Sequence, residues 1–160
     1  MKYALITTDG ELHIKDAEWP AVRADVGPEG PARVNISPIV TPKLFCGWVN
    51  DCGLSLPDRY PRNLVGSLVL MTLGAAEQPY AGPVVLTGWD PPPGIEMCDL
   101  VDHQVQGLLG IHRDIHAALA GQAGEVADDI RAAIEWIRTC PVPALTIHSF
   151  PEGGGRYEPT

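Results

Sequence analysis

A polar loop at residues 46–63 carries the side chains best suited to binding chemistry. It combines an aromatic ring with amides, carboxylates and guanidinium groups, on Trp48, Asn50, Asp51, Asp58, Arg59, Arg62 and Asn63. Such groups can stack on a planar ligand and hydrogen-bond its polar atoms, and guanidinium groups also pair with phosphate. The loop therefore predicts a site for a small nucleotide-like ligand or for a host protein.

A structural interpretation of the same loop is the alternative. Asn50 and Asp51 are typical turn residues, and Asp58 can pair with Arg59 or Arg62. Asn63 can satisfy backbone groups in the same way that loop amides commonly do. On this interpretation the loop connects two elements of the fold and binds nothing.

Four further side chains are of the types that bind metal ions. His112 and His116 stand four residues apart in a predicted helix, so their imidazoles share one face. Cys98 and His103 lie near the start of the same helix, and the four residues together indicate a small metal-dependent or cysteine/histidine hydrolase. His112 also falls on the apolar stripe of that helix. Because a metal site needs converging ligands, we predict two ordinary helical histidines and no metal or other cofactor.

No motif for a familiar catalytic chemistry accompanies these residues. The two histidines occur in His-Arg-Asp-Ile-His, which lacks the glutamate of zinc proteases. The sequence also contains no Gly-x-Ser-x-Gly turn, no phosphate-binding glycine loop and no dinucleotide fingerprint. These observations favour a binding protein over an enzyme.

Composition and charge restrict the class of protein. The 160 residues include 45% hydrophobic and 19% charged residues, which is typical of one globular domain. The formal net charge is −9, and no lysine or arginine lies between Arg62 and Arg113, so we expect no direct nucleic-acid binding. No apolar run approaches the ~20 residues that cross a bilayer, and the N-terminus is too polar for a signal peptide. We therefore expect a cytoplasmic protein without membrane contact.

The four cysteines form no Cys-x-x-Cys motif. In a cytoplasmic protein, we expect them to be reduced and to pack as small apolar residues. They are Cys46, Cys52, Cys98 and Cys140. The first two are six residues apart across a turn, and the sequence leaves open whether they pair.

The first 90 residues carry the signals of a β-sheet. Strands are predicted at 3–7, 11–15, 32–36, 44–49 and 83–88. The first two form a hairpin, because Asp9-Gly10 is a typical two-residue turn. Residues 17–26 predict a short helical turn. The run at 64–73 is apolar on nearly all sides, so it indicates a buried helix, although a buried strand shows the same pattern.

A proline-rich link at 91–93 separates this sheet core, at 1–90, from a helical extension. Two amphipathic helices joined by a short connection predict an antiparallel helical hairpin, at 101–119 and 126–137. The extension at 95–150 ends in a last strand, and a loose tail follows, at 144–150 and 151–160. The predicted fold is a single α+β domain over 1–160, with a mixed or antiparallel sheet, a buried helix and a C-terminal helical hairpin.

Several short motifs in the first 90 residues resemble a small domain-of-unknown-function family of actinobacteria, firmicutes and their phages and plasmids. After a leading strand, the resemblance rests on Trp-Val-Asn-Asp-Cys-Gly-Leu at 48–54, Pro-Arg-Asn at 61–63, Val-Gly-Ser at 65–67 and the segment at 80–88. Members share an Asn-acidic-x-Gly loop. The family offers no catalytic residues, and it implies accessory functions of mobile elements, such as anti-defence or host modulation.

Three hypotheses for function result. The leading one is a non-enzymatic binding protein of mobile-element or phage type, which binds a host protein or sequesters a small nucleotide-like ligand. The second is the small hydrolase built on Cys98 and the histidines of the helical extension. The third is an assembly subunit in which the helical hairpin mediates formation of a homo-oligomer.

Overall fold

The computed structural model describes residues 1–34, 36, 44–90, 93, 97–121 and 124–141. The predicted last strand at 144–150 and the tail at 151–160 lie outside these residues. The same holds for the connection at 37–43 and for most of the proline-rich link.

Five strands and four α-helices make up the described chain. In chain order they are β1 (Lys2–Ile6), β2 (Leu12–Asp16), α1 (Trp19–Val26), β3 (Pro31–Val34), β4 (Leu44–Asn50), α2 (Leu64–Thr72), β5 (Val84–Trp89), α3 (Asp102–Leu119) and α4 (Glu125–Thr139). A short 3₁₀ turn at Gly53–Ser55 lies in the polar loop after β4. The α+β fold class is therefore confirmed.

The five strands form one antiparallel sheet in the order β2-β1-β5-β4-β3. The predicted hairpin of β1 and β2 is confirmed, but its turn is longer than two residues, since Ile6 pairs with Leu12. Two backbone bonds of 2.9 Å close this turn, from the N–H of Thr7 to the carbonyl of Glu11 and from the N–H of Gly10 to the carbonyl of Thr7.

Side chains alternate between the two faces of the sheet, so each face has its own apolar cluster. On one face, Ala4 and Ile6 belong to a cluster with α2, α3 and α4. On the other face, Tyr3 packs with Val22 and Val26 of α1. The sheet therefore lies between one short helix and a group of three helices, and its middle strand β5 is buried on both sides.

The buried helix predicted at 64–73 is confirmed as α2. All residues from Val65 to Leu70 are buried. A buried backbone needs a partner for each N–H and carbonyl. A helix supplies these partners within itself, which allows an apolar segment to be enclosed by the sheet on one side and by other helices on the other.

The buried side chain of Asn63 joins α2 to the sheet. Its Oδ1 accepts the N–H of Gly66 at 2.8 Å and so caps the N-terminus of the helix. Its Nδ2 donates to the carbonyls of Ile6 at 3.1 Å and Gly82 at 3.0 Å, at the end of β1 and just before β5. The hydroxyl of Ser67 adds a second link to the segment before β5, because it accepts the N–H of Tyr80 at 2.9 Å.

The helices α3 and α4 form the predicted C-terminal pair. They pack on each other, and both contact α2. Their buried residues Leu108, Ile115, Ile134 and Ile137 complete the larger apolar cluster. Among the described helices, none combines the length and the apolar character that a membrane span requires.

Removal of the Asn63 side chain is expected to lower the free energy of unfolding by about 3 kcal/mol. Asn63→Ala loses the helix cap and leaves two buried carbonyls without their donor. Asn63→Ser is the matched variant, because serine keeps a capping oxygen and should recover about 1 kcal/mol of the loss. Urea denaturation followed by circular dichroism measures both values. A loss below about 1 kcal/mol for Asn63→Ala would contradict the importance of this amide.

Candidate functional site

The polar loop begins where β4 ends, at Asn50. The Asn50 side chain is buried and forms a local turn, in which Oδ1 accepts the N–H of Cys52 at 2.9 Å. Its Nδ2 donates to Oε2 of Glu29 at 3.2 Å. The end of β4 is therefore attached to the turn that precedes β3.

Glu29 is the residue to which this part of the loop is attached. Its carboxylate accepts hydrogen bonds from the Tyr60 hydroxyl and the Asn50 amide, and it pairs with Arg59 at 2.5 Å. Only 18% of the Glu29 side chain is exposed, against 57% for Arg59. The hydrogen bond from Tyr60 lowers the pKa of Glu29 below its ordinary value, and the same bond raises the pKa of Tyr60.

Glu29 is not among the residues that the sequence identified. Its segment reads as the end of a helix, whereas Gly27 and Gly30 adopt φ angles of 123° and 102° that reverse the chain around it. A carboxylate between two such glycines is a candidate partner for a loop arginine. Arg59 accordingly pairs with Glu29 rather than with Asp58, which is exposed and forms no ion pair with the described residues.

Arg62 binds the end of α4. Its guanidinium group donates to the carbonyls of Ile137, Arg138 and Cys140, with a distance of 3.0 Å to the second of these. The last carbonyls of a helix lack partners within the helix and carry partial negative charge, so a guanidinium group suits them. Arg62 thus fastens α4 to the chain just before α2.

Trp48 belongs to the packing on the α1 side of the sheet. Its indole N–H donates to the Thr87 hydroxyl at 3.2 Å. Its ring meets the edge of Trp19 in α1, with the two ring centroids 5.1 Å apart. Of the predicted ligand-binding residues, Trp48, Asn50, Arg59, Arg62 and Asn63 therefore all have structural contacts, and Asp51 and Asp58 have exposed side chains.

A cleft of about 420 Å³ opens beside Asp51. It lies between the edge of the β3–β4 pair, the 3₁₀ turn and the segment before β5, and it is lined by Ala32, Arg33, Val34, Val49, Asn50, Asp51, Leu54, Ser55, Ala76, Gln78, Tyr80 and Ala81. Most of the lining is apolar. The side chains of Asp51 and Ser55 make no hydrogen bond or ion pair with any residue that the structure describes.

The four residues of the predicted hydrolase are not brought together. Cys98 pairs with Gly88 in an isolated β-bridge before α3 begins. His103 is exposed in the first turn of α3, about 14 Å along the helix axis from His112 at 1.5 Å per residue. His112 and His116 do meet, at the turn between β1 and β2. Within the described ranges, no three His, Cys, Asp or Glu side chains converge as a metal cluster.

The cysteines are thiols. Cys46 is buried in β4, and Cys52 is half-buried in the turn that follows. No disulfide joins these two residues or any other pair within the part of the chain that the structure describes.

No protein-family model, curated protein sequence or solved structure matches this chain. The resemblance of residues 1–90 to a family of mobile elements therefore stays a prediction. Function is accordingly inferred from the side chains around the cleft.

Acid is expected to lower the free energy of unfolding of the wild-type protein more than that of a Glu29→Gln variant. Because the folded state holds the pKa of Glu29 below its ordinary value of 4.5, its contacts contribute stability above that pH and lose it as the pH falls through the folded-state pKa. The difference in unfolding free energy between the two proteins should be constant near neutral pH and shrink below about pH 4.5. Urea denaturation at stepped pH measures this difference. A difference that stays constant down to about pH 3 would contradict the role of the carboxylate.

Loss of the Arg62 guanidinium group is expected to loosen the end of α4. Arg62→Ala should lower the free energy of unfolding by about 2 kcal/mol, because three helix-end carbonyls lose a charged donor. Amide hydrogen exchange should rise at residues 134–140 and stay unchanged in β1. Arg138→Ala is the control, since it removes an exposed arginine from the same helix end. Equal exchange in both variants would show that Arg62 does not hold α4.

Proposed function

We propose that this protein is a non-enzymatic binding protein that holds a small, neutral or positively charged molecule in the cleft beside Asp51. The observation that carries the proposal is the pairing of an apolar cleft with two polar side chains that the fold leaves without partners among the described residues. Ligand sites in proteins commonly combine a mostly apolar wall with a few such polar groups.

The size of the cleft supports a small-molecule ligand. Its volume of about 420 Å³ lies within the range of roughly 300–1,000 Å³ that is typical of small-molecule sites. Its walls come from β3, from β4 and from the segment before β5, and sheet hydrogen bonds fix the first two relative to each other. A site on such elements is largely formed before the ligand arrives.

The charges around the cleft favour a ligand without phosphate. Arg59 is paired with Glu29, and Arg62 is bound to helix-end carbonyls. The guanidinium group of Arg33 lies over the ring of Trp89, at 4.9 Å from its centroid. The carboxylate of Asp51, by contrast, lines the cleft. A phosphate would meet this negative charge, whereas an amine or a neutral hydrogen-bond donor would be attracted to it.

The lining also supports binding rather than catalysis. It contains no histidine, cysteine or lysine among its described residues. Ser55 therefore has no neighbouring imidazole in the cleft to act as its base, which nucleophilic catalysis by serine usually requires. Sequestration of a small molecule is compatible with the mobile-element context that the family resemblance implies.

Neutralisation of Asp51 is expected to weaken the binding of basic ligands. In a protein-observed amide NMR screen of neutral, cationic and anionic fragments, amines should bind and shift the amide signals of Asp51, Ser55 and Gln78. Asp51→Asn should reduce amine affinity about fivefold, which corresponds to about 1 kcal/mol for one exposed charge pair. Neutral fragments should bind both proteins equally.

Asp58→Asn is the matched control for this experiment. It removes the same charge from an exposed position of the same loop, outside the cleft lining. It should leave amine binding unchanged. A preference for anionic fragments, or equal effects of the two substitutions, would contradict the proposed site.

A further inference from the structure

Two histidine rings of α3 converge on one backbone carbonyl, that of Gly10 in the turn between β1 and β2. Nε2 of His112 lies 2.7 Å from the Gly10 oxygen, and Nε2 of His116 lies 3.1 Å from it. The two Nε2 atoms are themselves 3.1 Å apart. Three potential electron-pair donors thus lie within hydrogen-bond distance of one another, and both rings are half-buried.

The fold holds these three atoms in place from two independent elements. The histidines are four residues apart in α3 and therefore lie on the same face. Gly10 adopts a φ of 92°, and a Cβ at this position would lie 2.8 Å from Cγ2 of Val65. Its N–H is also bonded to the carbonyl of Thr7. These contacts restrict the backbone at Gly10, and its carbonyl oxygen lies toward the two histidines of α3.

No protonation state of the two imidazoles turns the two Nε2–oxygen contacts and the Nε2–Nε2 contact into three hydrogen bonds. If both Nε2 atoms carry a proton, both can donate to the Gly10 carbonyl, but the two N–H groups then face each other. If only one carries a proton, the other presents a lone pair to the carbonyl oxygen. A cation in the same place accepts all three lone pairs, with each neutral imidazole protonated at Nδ1.

The distances between the three atoms suit a transition-metal ion. They form a triangle with sides of 2.7, 3.1 and 3.1 Å. An ion at the usual Zn–N distance of about 2.1 Å from all three atoms would lie about 1.2 Å outside their plane. This is close to the arrangement of three ligands on one face of an octahedron, with the remaining positions open to water.

We propose that His112, His116 and the Gly10 carbonyl form a site for a divalent first-row transition ion, of which Zn²⁺ is the first to test. Imidazole nitrogen suits Zn²⁺, Cu²⁺ and Ni²⁺, whereas Ca²⁺ and Mg²⁺ prefer sets of oxygen ligands. The site joins the β1–β2 turn to α3, so the ion stabilises the contact between the sheet and the helical pair. It is independent of the cleft beside Asp51.

Zinc titration of the tag-free full-length protein tests the site. Calorimetry should show one ion per chain, and His112→Ala and His116→Ala should each weaken binding by more than about tenfold, since loss of even an outer-shell partner costs about 10–100-fold. His103→Ala is the control, because it removes an exposed histidine from the same helix, and it should bind as the wild type does. Zinc should also raise the melting temperature of the wild type and of this control.

Two further measurements complete the test. The first distinguishes loss of a metal ligand from loss of folding, and the second distinguishes histidine ligation from cysteine ligation. His116→Gln retains a side-chain N–H for the Gly10 carbonyl and should stay folded, yet its melting temperature should not respond to zinc. Cobalt in place of zinc should give an absorption spectrum without a thiolate charge-transfer band, because no cysteine ligates the ion. Zinc binding that is absent, that survives in the double variant H112A/H116A, or that shows thiolate ligation would overturn the proposal.

Discussion

The side-chain amide of Asn63 is the interaction on which the arrangement of the sheet and α2 depends. It is completely buried, and it bonds to backbone groups at the start of α2, at the end of β1 and just before β5. One planar amide offers both an acceptor and two donors, so it can fix three elements relative to one another. The adjacent Arg62 extends this constraint to the end of α4. Two consecutive residues therefore connect the sheet to two helices of its larger layer.

The same constraint determines which part of the polar loop is left for a ligand. Arg62 and Asn63, the residues nearest α2, form structural hydrogen bonds. Glu29 pairs with Arg59 and accepts a hydrogen bond from Asn50. Asp51 remains at the mouth of an apolar cleft together with Ser55. A loop that looks suited to phosphate from its two arginines therefore presents a carboxylate instead, and the expected ligand changes from a nucleotide to a neutral or basic molecule.

Much of the fold could be predicted from the sequence, because apolar periodicity follows burial directly. The pair of α3 and α4 shows helical periodicity, the continuous apolar run at 64–73 indicates the buried helix α2, and the Asp9-Gly10 turn indicates the hairpin of β1 and β2. The site was harder to predict from the sequence, since residue type does not reveal whether a side chain points into the core or toward solvent. Asn63 and Asp51 are both polar loop residues, yet Asn63 is buried and Asp51 is exposed. Contacts between distant segments, such as His112 with the Gly10 carbonyl 102 residues away, have no local signal at all.

Native mass spectrometry of the tag-free protein, purified gently from cell lysate, tests the cleft most directly. We expect a retained neutral or basic small molecule on the wild-type protein. We also expect its loss from Ala76→Trp, in which an indole at an exposed lining position fills the cleft. A spectrum with only the 17.2 kDa chain, a phosphorylated compound, or equal retention by the Ala76→Trp variant would contradict a ligand site beside Asp51.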